Sequence, residues 1–202
     1  MELSPYTLTT SATIQDIRQI WSWNATVPEA GDTCIHVLIT NKARQQPDAL
    51  AIHAWDGKWT YGELEELSTK LALLLLDSGV GPGANVAICF EKSKYTPVAM
   101  LAVMKVGGAS VALDPSQPEE RLRSITTQVN PIVILCSASK SHLAKSITTK
   151  SVLALTVDGT TLSEMTEKSD AESRLPVVSL DSKLYLVFTS GSTGTPKGVI
   201  VT

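Results

Sequence analysis

The chain has 202 residues, 43% hydrophobic and 18% charged, an ordinary globular composition that excludes overall disorder and leaves enough length to bury one sizeable core. Seventeen lysines and arginines (17) against 20 acidic residues give a net charge of -3 with no basic cluster, so the electrostatic footprint of a nucleic-acid binder is missing. The start MELSPYTLTT has neither a basic n-region nor an apolar h-region, and the longest greasy run, Leu71 to Leu76, is far below membrane-spanning length. A cytoplasmic protein with no membrane partner is expected.

Residues 1–32 mix Ser, Thr and Pro with Trp21 and Trp23 and show no sustained periodicity. They read as an irregular leader or linker, with room for a short helix around Ile14 to Trp21. From Thr33 the pattern sharpens: Ile35, Leu38, Ile39 and Ala43 share a helical face that Pro47 closes. The segments ALAIHAW and KWT flank Asp56-Gly57, a dipeptide that tolerates positive φ and favours a two-residue hairpin. Thr60 and Glu63 then have capping-box spacing ahead of an apolar stripe, Leu64, Leu67, Leu71, Leu74 and Leu75, that ends at Gly79.

NVAICF is strand-like, YTPVAMLAVMKVGG helical with Pro97 near its start, and ASVAL strand-like again. Pro118 opens a helix through Leu122, Ile125 and Val129; PIVILC, a shorter helix near His142 to Ile147, and VLALTV continue the alternation. Asp158 to Ser182 is polar and aperiodic, so a loop is expected there before the strand KLYLVFT. Strands apolar on both faces, alternating with helices, predict an α/β fold over residues 33–202: a doubly wound, mostly parallel sheet covered by helices.

Most chemical candidates reduce to ordinary structure. Gly79, Gly81 and Ala84 match the dinucleotide fingerprint, but a helix precedes and a strand follows, the reverse of what that fingerprint needs, so a helix C-cap and a Pro82 turn fit better. Ser137 and Lys140 form an SxxK without its partner motifs and receive no catalytic role. Cys34, Cys89 and Cys136 lack any CxxC spacing and read as reduced, buried thiols; His36, His53 and His142 have no partner at metal-ligand spacing, and no metal site is expected. Asp114-Pro115 stands at a strand end where functional loops gather, but reads as a turn.

FTSGSTGTPKGVIVT, Phe188 to Thr202, differs in kind. Thr189, Ser190, Ser192, Thr193 and Thr195 offer hydroxyl donors, Gly191, Gly194 and Gly198 let main-chain N–H groups approach a ligand, and Lys197 adds a mobile positive charge. That set suits a polyphosphate. It is not a P-loop, because Lys197 follows Pro196 rather than Gly, and Gly198 stands where Ser or Thr would hold magnesium.

LYLVFTSGSTGTPKG resembles the signature loop of the adenylate-forming (AMP-binding) enzymes, a superfamily that includes acyl-CoA synthetases, luciferases and nonribosomal peptide synthetase adenylation domains. TYGELEELS, Thr60 to Ser68, resembles the first core motif of the peptide synthetase branch, and LAVMKVGGASVALDPSQPEERL, Leu101 to Leu122, its second. With CIHVLI and AWDGKWTY the likeness runs from about Trp21 to Thr202 and is closest in style to fungal synthetases. Val106, Ser110 and Ala112 depart from the family's usual residues at what read as packing positions.

The resemblance implies the N-terminal portion of an adenylation domain, incomplete at its C-terminus. It implies an amino acid carboxylate attacking Mg-ATP to give aminoacyl adenylate and pyrophosphate, then transfer to the phosphopantetheine thiol of a peptidyl carrier domain, in secondary-metabolite biosynthesis. Thr189, Ser190, Gly191, Ser192, Thr193, Gly194, Lys197 and Gly198 would handle the ATP phosphates. Contacts for adenine, ribose and the substrate amine, the magnesium ligands and the catalytic lysine would lie outside this stretch, so it holds no catalytic residue and is expected to be inactive alone. A fragment of an acyl-CoA synthetase-like ligase and a noncatalytic relic are the alternatives.

Overall fold

A computed structural model describes residues 13–26, 31–149, 151–165, 171–189 and 196–202, and divides the chain into two units, 1–32 and 33–202. In the first unit, α1 (Ile14–Trp23) starts on a capping box in which Thr13 Oγ1 accepts from Asp16 N at 3.2 Å and Asp16 Oδ2 accepts from Thr13 N at 2.7 Å. The helix therefore runs two residues past the expected Trp21, and T-x-x-D was its signal in the sequence.

The second unit opens with α2 (Ile35–Gln45), the hairpin strands β1 (Leu50–Ala54) and β2 (Gly57–Thr60), and α3 (Tyr61–Asp77). The hairpin's two turn residues are Trp55 and Asp56, one earlier than expected, since Ala54 pairs with Gly57. Two other elements fix that register. The Trp55 indole N–H donates to Lys92 O, and the Asp56 carboxylate accepts from Ser93 Oγ at 2.6 Å and Lys94 N at 3.0 Å. Gly57, at φ +134°, still supplies the positive dihedral.

Thr60 caps α3 as its spacing predicts: Thr60 Oγ1 accepts from Glu63 N at 3.2 Å and Glu63 Oε2 from Thr60 N at 2.8 Å. The helix ends in a Schellman motif, with Gly79 N donating to Leu76 O and Val80 N to Leu75 O, both at 2.9 Å. This confirms the C-cap reading of Gly79 over the dinucleotide one.

Then come β3 (Asn85–Cys89), α4 (Tyr95–Lys105), β4 (Ala109–Ala112), α5 (Glu119–Val129), β5 (Val133–Cys136), α6 (Ser141–Ser146) and β6 (Leu153–Thr156). The stretch expected as a loop contains two short helices, α7 (Gly159–Glu164) and α8 (Ala171–Arg174). Asp158 caps the first by accepting from Thr161 N at 2.8 Å; six and four residues are too few to show a helical period. The chain closes with β7 (Tyr185–Thr189) and β8 (Lys197–Val201).

The six-stranded sheet has the order β6-β5-β3-β4-β7-β8, parallel throughout except for the antiparallel pair β7 and β8. Side chains alternate across it as the pleat dictates. Val86, Ile88, Val133 and Leu135 face one core with Leu71 and Leu75 of α3 and Val98 and Ala102 of α4. Ala87, Cys89, Ile134 and Cys136 face the other, with Leu122 and Ile125 of α5 and Ala144 of α6. Both faces are covered, which is why the strands read as continuous apolar runs. The doubly wound α/β expectation is met. Of the three atypical residues, Val106 and Ser110 are buried, but Ala112 is exposed, so it is no packing position.

Among the described residues no helix is long and apolar enough to cross a membrane, and Cys89 and Cys136 are buried free thiols while Cys34 is half-buried.

Candidate functional site

In a parallel sheet all the loops that leave strand C-termini share one edge, and ligands gather there. In this chain that edge carries Glu91 after β3, Asp114 after β4, Ser137 after β5, Asp158 after β6 and Thr189 at the end of β7.

β7 is held in place by the chain itself: Ser110 pairs with Tyr185 and Val111 with Leu186 on one side, and on the other Leu184 N donates to Val201 O at 2.7 Å. At the top of the β7–β8 ladder, Thr189 pairs with Lys197 and Phe188 with Gly198. Of the residues expected to meet phosphate, Ser190, Gly191, Ser192, Thr193 and Gly194 lie outside the described residues. Thr189, Lys197 and Gly198 are described, and all three are exposed. Lys197 forms no ion pair among the described residues.

Gly198 stands inside β8, opposite Phe188, and a Cβ there would meet Phe188 Cζ at 3.0 Å. Its lack of a side chain therefore serves the close approach of an aromatic ring as well as any ligand. Sequence reasoning missed this, because a glycine beside a Ser/Thr/Gly loop looks like part of the loop.

A cleft of about 250 Å³ opens beside β7, between the ends of β4 and β7 and the start of α5. Leu122, Ile125 and Phe188 form apolar wall; Asp114, Gln117 and Arg121 bring polar groups to it. Gln117 Oε1 accepts from Arg121 Nε at 2.7 Å, and Asp114 Oδ1 accepts from Ser116 N and Oγ at 2.9 and 2.7 Å, which lowers the Asp114 carboxyl from its ordinary value. The turn expected at Asp114-Pro115 is present, and it also lines the cleft.

At the end of β3, Glu91 accepts from Ser137 Oγ at 2.5 Å and from Ser139 Oγ, and Lys140 Nζ lies 3.5 Å from it. Burial works against the Glu91 charge, but the two hydroxyls outweigh it and, with Lys140, pull the carboxyl down to about 2. No sequence motif marks this group; its signal is positional, one or two residues past the ends of two adjacent parallel strands.

Among the described residues no three His, Cys, Asp or Glu side chains stand together as a metal site, and no magnesium ligand is assigned to them.

The family model of the AMP-binding enzymes matches residues 39–202. The chain belongs to the AMP-binding enzyme family. It is 47% identical to nonribosomal peptide synthetase ungA of Aspergillus violaceofuscus (strain CBS 115571) over 96% of its own length, and 45% identical to peramine synthetase A of Epichloe festucae (strain Fl1) over 93%. It spans 2% and 7% of those relatives' lengths. Among solved structures, the Klebsiella oxytoca NpsA N-terminal subdomain superposes with a TM-score of 0.69 at 27% identity, over 82% of this chain and 41% of that one. The peptide synthetase FmoA3, in its α-methyl-L-serine-AMP bound form, shares the fold with a TM-score of 0.76 at 23% identity, over 91% of this chain and 20% of that one. Family and fold thus agree with the resemblance carried by Phe188 to Thr202, and the relatives are fungal peptide synthetases.

Proposed function

We propose that this chain is the N-terminal part of an amino-acid-activating adenylation domain, and that the connection from β7 to β8 binds the β- and γ-phosphates of ATP. The observation that supports the reading is the registered pair Thr189 and Lys197 at the C-terminal end of β7, which itself runs parallel to β4; these two residues bracket the Ser/Thr/Gly segment in the sequence. The AMP-binding family and the nonribosomal peptide synthetase relatives support the reaction class. ATP and an amino acid give aminoacyl adenylate and pyrophosphate, and the phosphopantetheine thiol of a carrier domain takes the aminoacyl group.

In this reaction the α-phosphate of ATP is attacked by a carboxylate oxygen and the bond to the β-phosphate breaks, leaving charge on pyrophosphate. Lys197 and the hydroxyls of Thr189, Ser190, Ser192 and Thr193 offset that charge as it develops, an electrostatic role needing no proton transfer by this chain. Gly191, Gly194 and Gly198 keep the backbone open to the phosphates. Magnesium would supply further charge neutralisation on the phosphates, and no residue of this chain is assigned to hold it. The natural setting is the cytoplasm.

The test is binding of pyrophosphate to the 202-residue chain, followed through the backbone amides of Thr189 to Gly198. Saturable shifts confined to that segment, weakened by Lys197→Ala, are expected. In a protein extended to the length of its relatives, Lys197→Ala should slow adenylation by roughly tenfold to a hundredfold, about 1 to 3 kcal/mol for a partly solvated contact. Thioester transfer from preformed adenylate should be unchanged. Loss of transfer with adenylation intact would refute the phosphate role, and amino-acid-dependent pyrophosphate exchange by the 202-residue chain alone would refute the assignment of the catalytic groups elsewhere.

A further inference from the structure

The sheet order places β4 on one side of β3 and β5 on the other, although the chain visits them in the sequence β3, β4, β5. The winding therefore reverses at β3, and the loops after β3 and β5 leave the sheet in opposite directions. Between their roots lies the topological switch point, where open α/β sheets take up ligands, anionic groups in particular. In this chain the switch point holds Ser137, Ser139 and Lys140, two hydroxyls and an ammonium converging on one place.

Two hydroxyl donors and a lysine make an oxyanion-binding set. Here its occupant is a side chain of the protein. One Glu91 oxygen accepts from Ser137; the other accepts from Ser139 and faces Lys140. Access is not the obstacle, because the Glu91 and Lys140 side chains remain 37% and 31% exposed.

Nor is the loop that carries Glu91 loose. Lys92 O accepts from the Trp55 indole, Ser93 and Lys94 are bonded to Asp56, and the Lys94 ammonium sits 3.8 Å from the Trp59 ring centroid. The hairpin of β1 and β2 thus fixes residues 92–94, and with them the direction from which Glu91 enters the crevice. Asp114 at the neighbouring strand end does not compete for the donors, because its carboxylate is engaged by Ser116.

We propose that Ser137, Ser139 and Lys140 form a second oxyanion site, distinct from the β7–β8 connection, which Glu91 closes as an internal ligand. The ligand class that the site takes once opened is a small tetrahedral oxyanion, represented by inorganic phosphate. This inference does not rest on the proposed adenylation function.

The test compares wild type with Glu91→Ala and Glu91→Ser in the 202-residue chain, titrating inorganic phosphate at constant ionic strength while following the amides of Ser137 to Lys140. Both variants should show saturable shifts there, with affinity at least roughly tenfold above any wild-type response, and the shifts should vanish when Ser137→Ala and Ser139→Ala are added. A wild-type response equal to the variants, or a folded variant without a response, overturns the proposal. If a variant unfolds in chloride buffer, phosphate should refold it; a variant that stays unfolded in phosphate also overturns it. Shifts confined to Thr189 to Gly198 report the other site and count against this one.

Discussion

The Lys105 ammonium lies 2.8 Å from the Glu65 carboxylate although the lysine side chain is only 3% exposed. It also donates to Thr69 Oγ1 at 2.7 Å and to Glu65 O at 3.2 Å, while the Glu65 carboxylate accepts from Thr40 Oγ1 and keeps 23% exposure. The network ties α2, α3 and α4 together at the point where α4 ends and β4 begins. Removing Glu65 leaves a buried ammonium without its carboxylate; removing Lys105 leaves a carboxylate that water still reaches. Glu65→Ala should therefore cost about 3 to 5 kcal/mol and Lys105→Met about 1 to 3 kcal/mol. Urea unfolding of the two variants gives the order directly, and a larger loss for Lys105→Met would contradict the burial argument.

His36 stands against the same network. Burial pushes its imidazole below the ordinary histidine range, Lys105 pushes the same way, and Glu65 opposes them. The unfolded chain takes up a proton near about 6.5, while the folded chain resists it to lower pH. The contribution to stability is present above the unfolded value and is lost as pH falls through it toward the depressed folded value. His36→Gln should accordingly flatten the decline in stability between about pH 7 and pH 5.5. Urea midpoints across that window check it; parallel wild-type and variant curves would show that His36 does not couple to folding.

Much of this fold was visible in periodicity and caps. The Thr60 and Glu63 box, the Gly79 end of α3 and the alternation that gives opposite faces to Val86 and Ala87 are local features, decided within a few residues of chain. The hairpin turn was displaced because its register is set from a distance, by Ser93 and Lys94 reaching Asp56 and by Lys92 reaching Trp55. Helices α7 and α8 were missed because they are shorter than two helical turns. The composition of the connection after β7 was legible, since hydroxyls, glycines and a lysine carry their chemistry with them, and its phosphate role stands as a proposal. The Glu91 group was not, because it exists only after the winding reverses at β3 and brings residues 91 and 137 side by side.

Asp56 serves as a cap borrowed from another element. The residue before α4, Lys94, has no side-chain cap of its own, and Asp56 accepts from its N–H and from Ser93 Oγ. Asp56→Ala should cost about 1 to 2 kcal/mol, as for loss of a helix cap. Asp56→Asn, which keeps an acceptor oxygen, should recover most of it. Amide exchange should quicken first in the loop after β3. If exchange there is unchanged in Asp56→Ala, the hairpin does not hold that loop.

Gly198 and Phe188 separate packing from ligand contact in the β7–β8 pair. A Cβ at Gly198 would lie 3.0 Å from Phe188 Cζ and 3.2 Å from Cε1, closer than carbon atoms settle without something giving way. A phenyl ring cannot bend at its far end, so the strain must move the ring or part the ladder at the registered pair Phe188 and Gly198. Gly198→Ala should therefore destabilise the chain by about 1 to 3 kcal/mol, the ordinary range for overpacking. Shortening the ring removes the obstacle: in a Phe188→Leu background, adding Gly198→Ala should cost much less, and the double-mutant cycle should show a coupling of roughly 1 kcal/mol or more in favour of the pair. The cycle is read from urea unfolding, and pyrophosphate binding measured on the same four proteins separates the roles. If the double variant regains stability and binding together, packing at Gly198 governs both. Recovered stability with binding still lost would mean that the backbone of Gly198 itself meets the phosphates, and additive stability effects would show that Phe188 does not constrain this glycine.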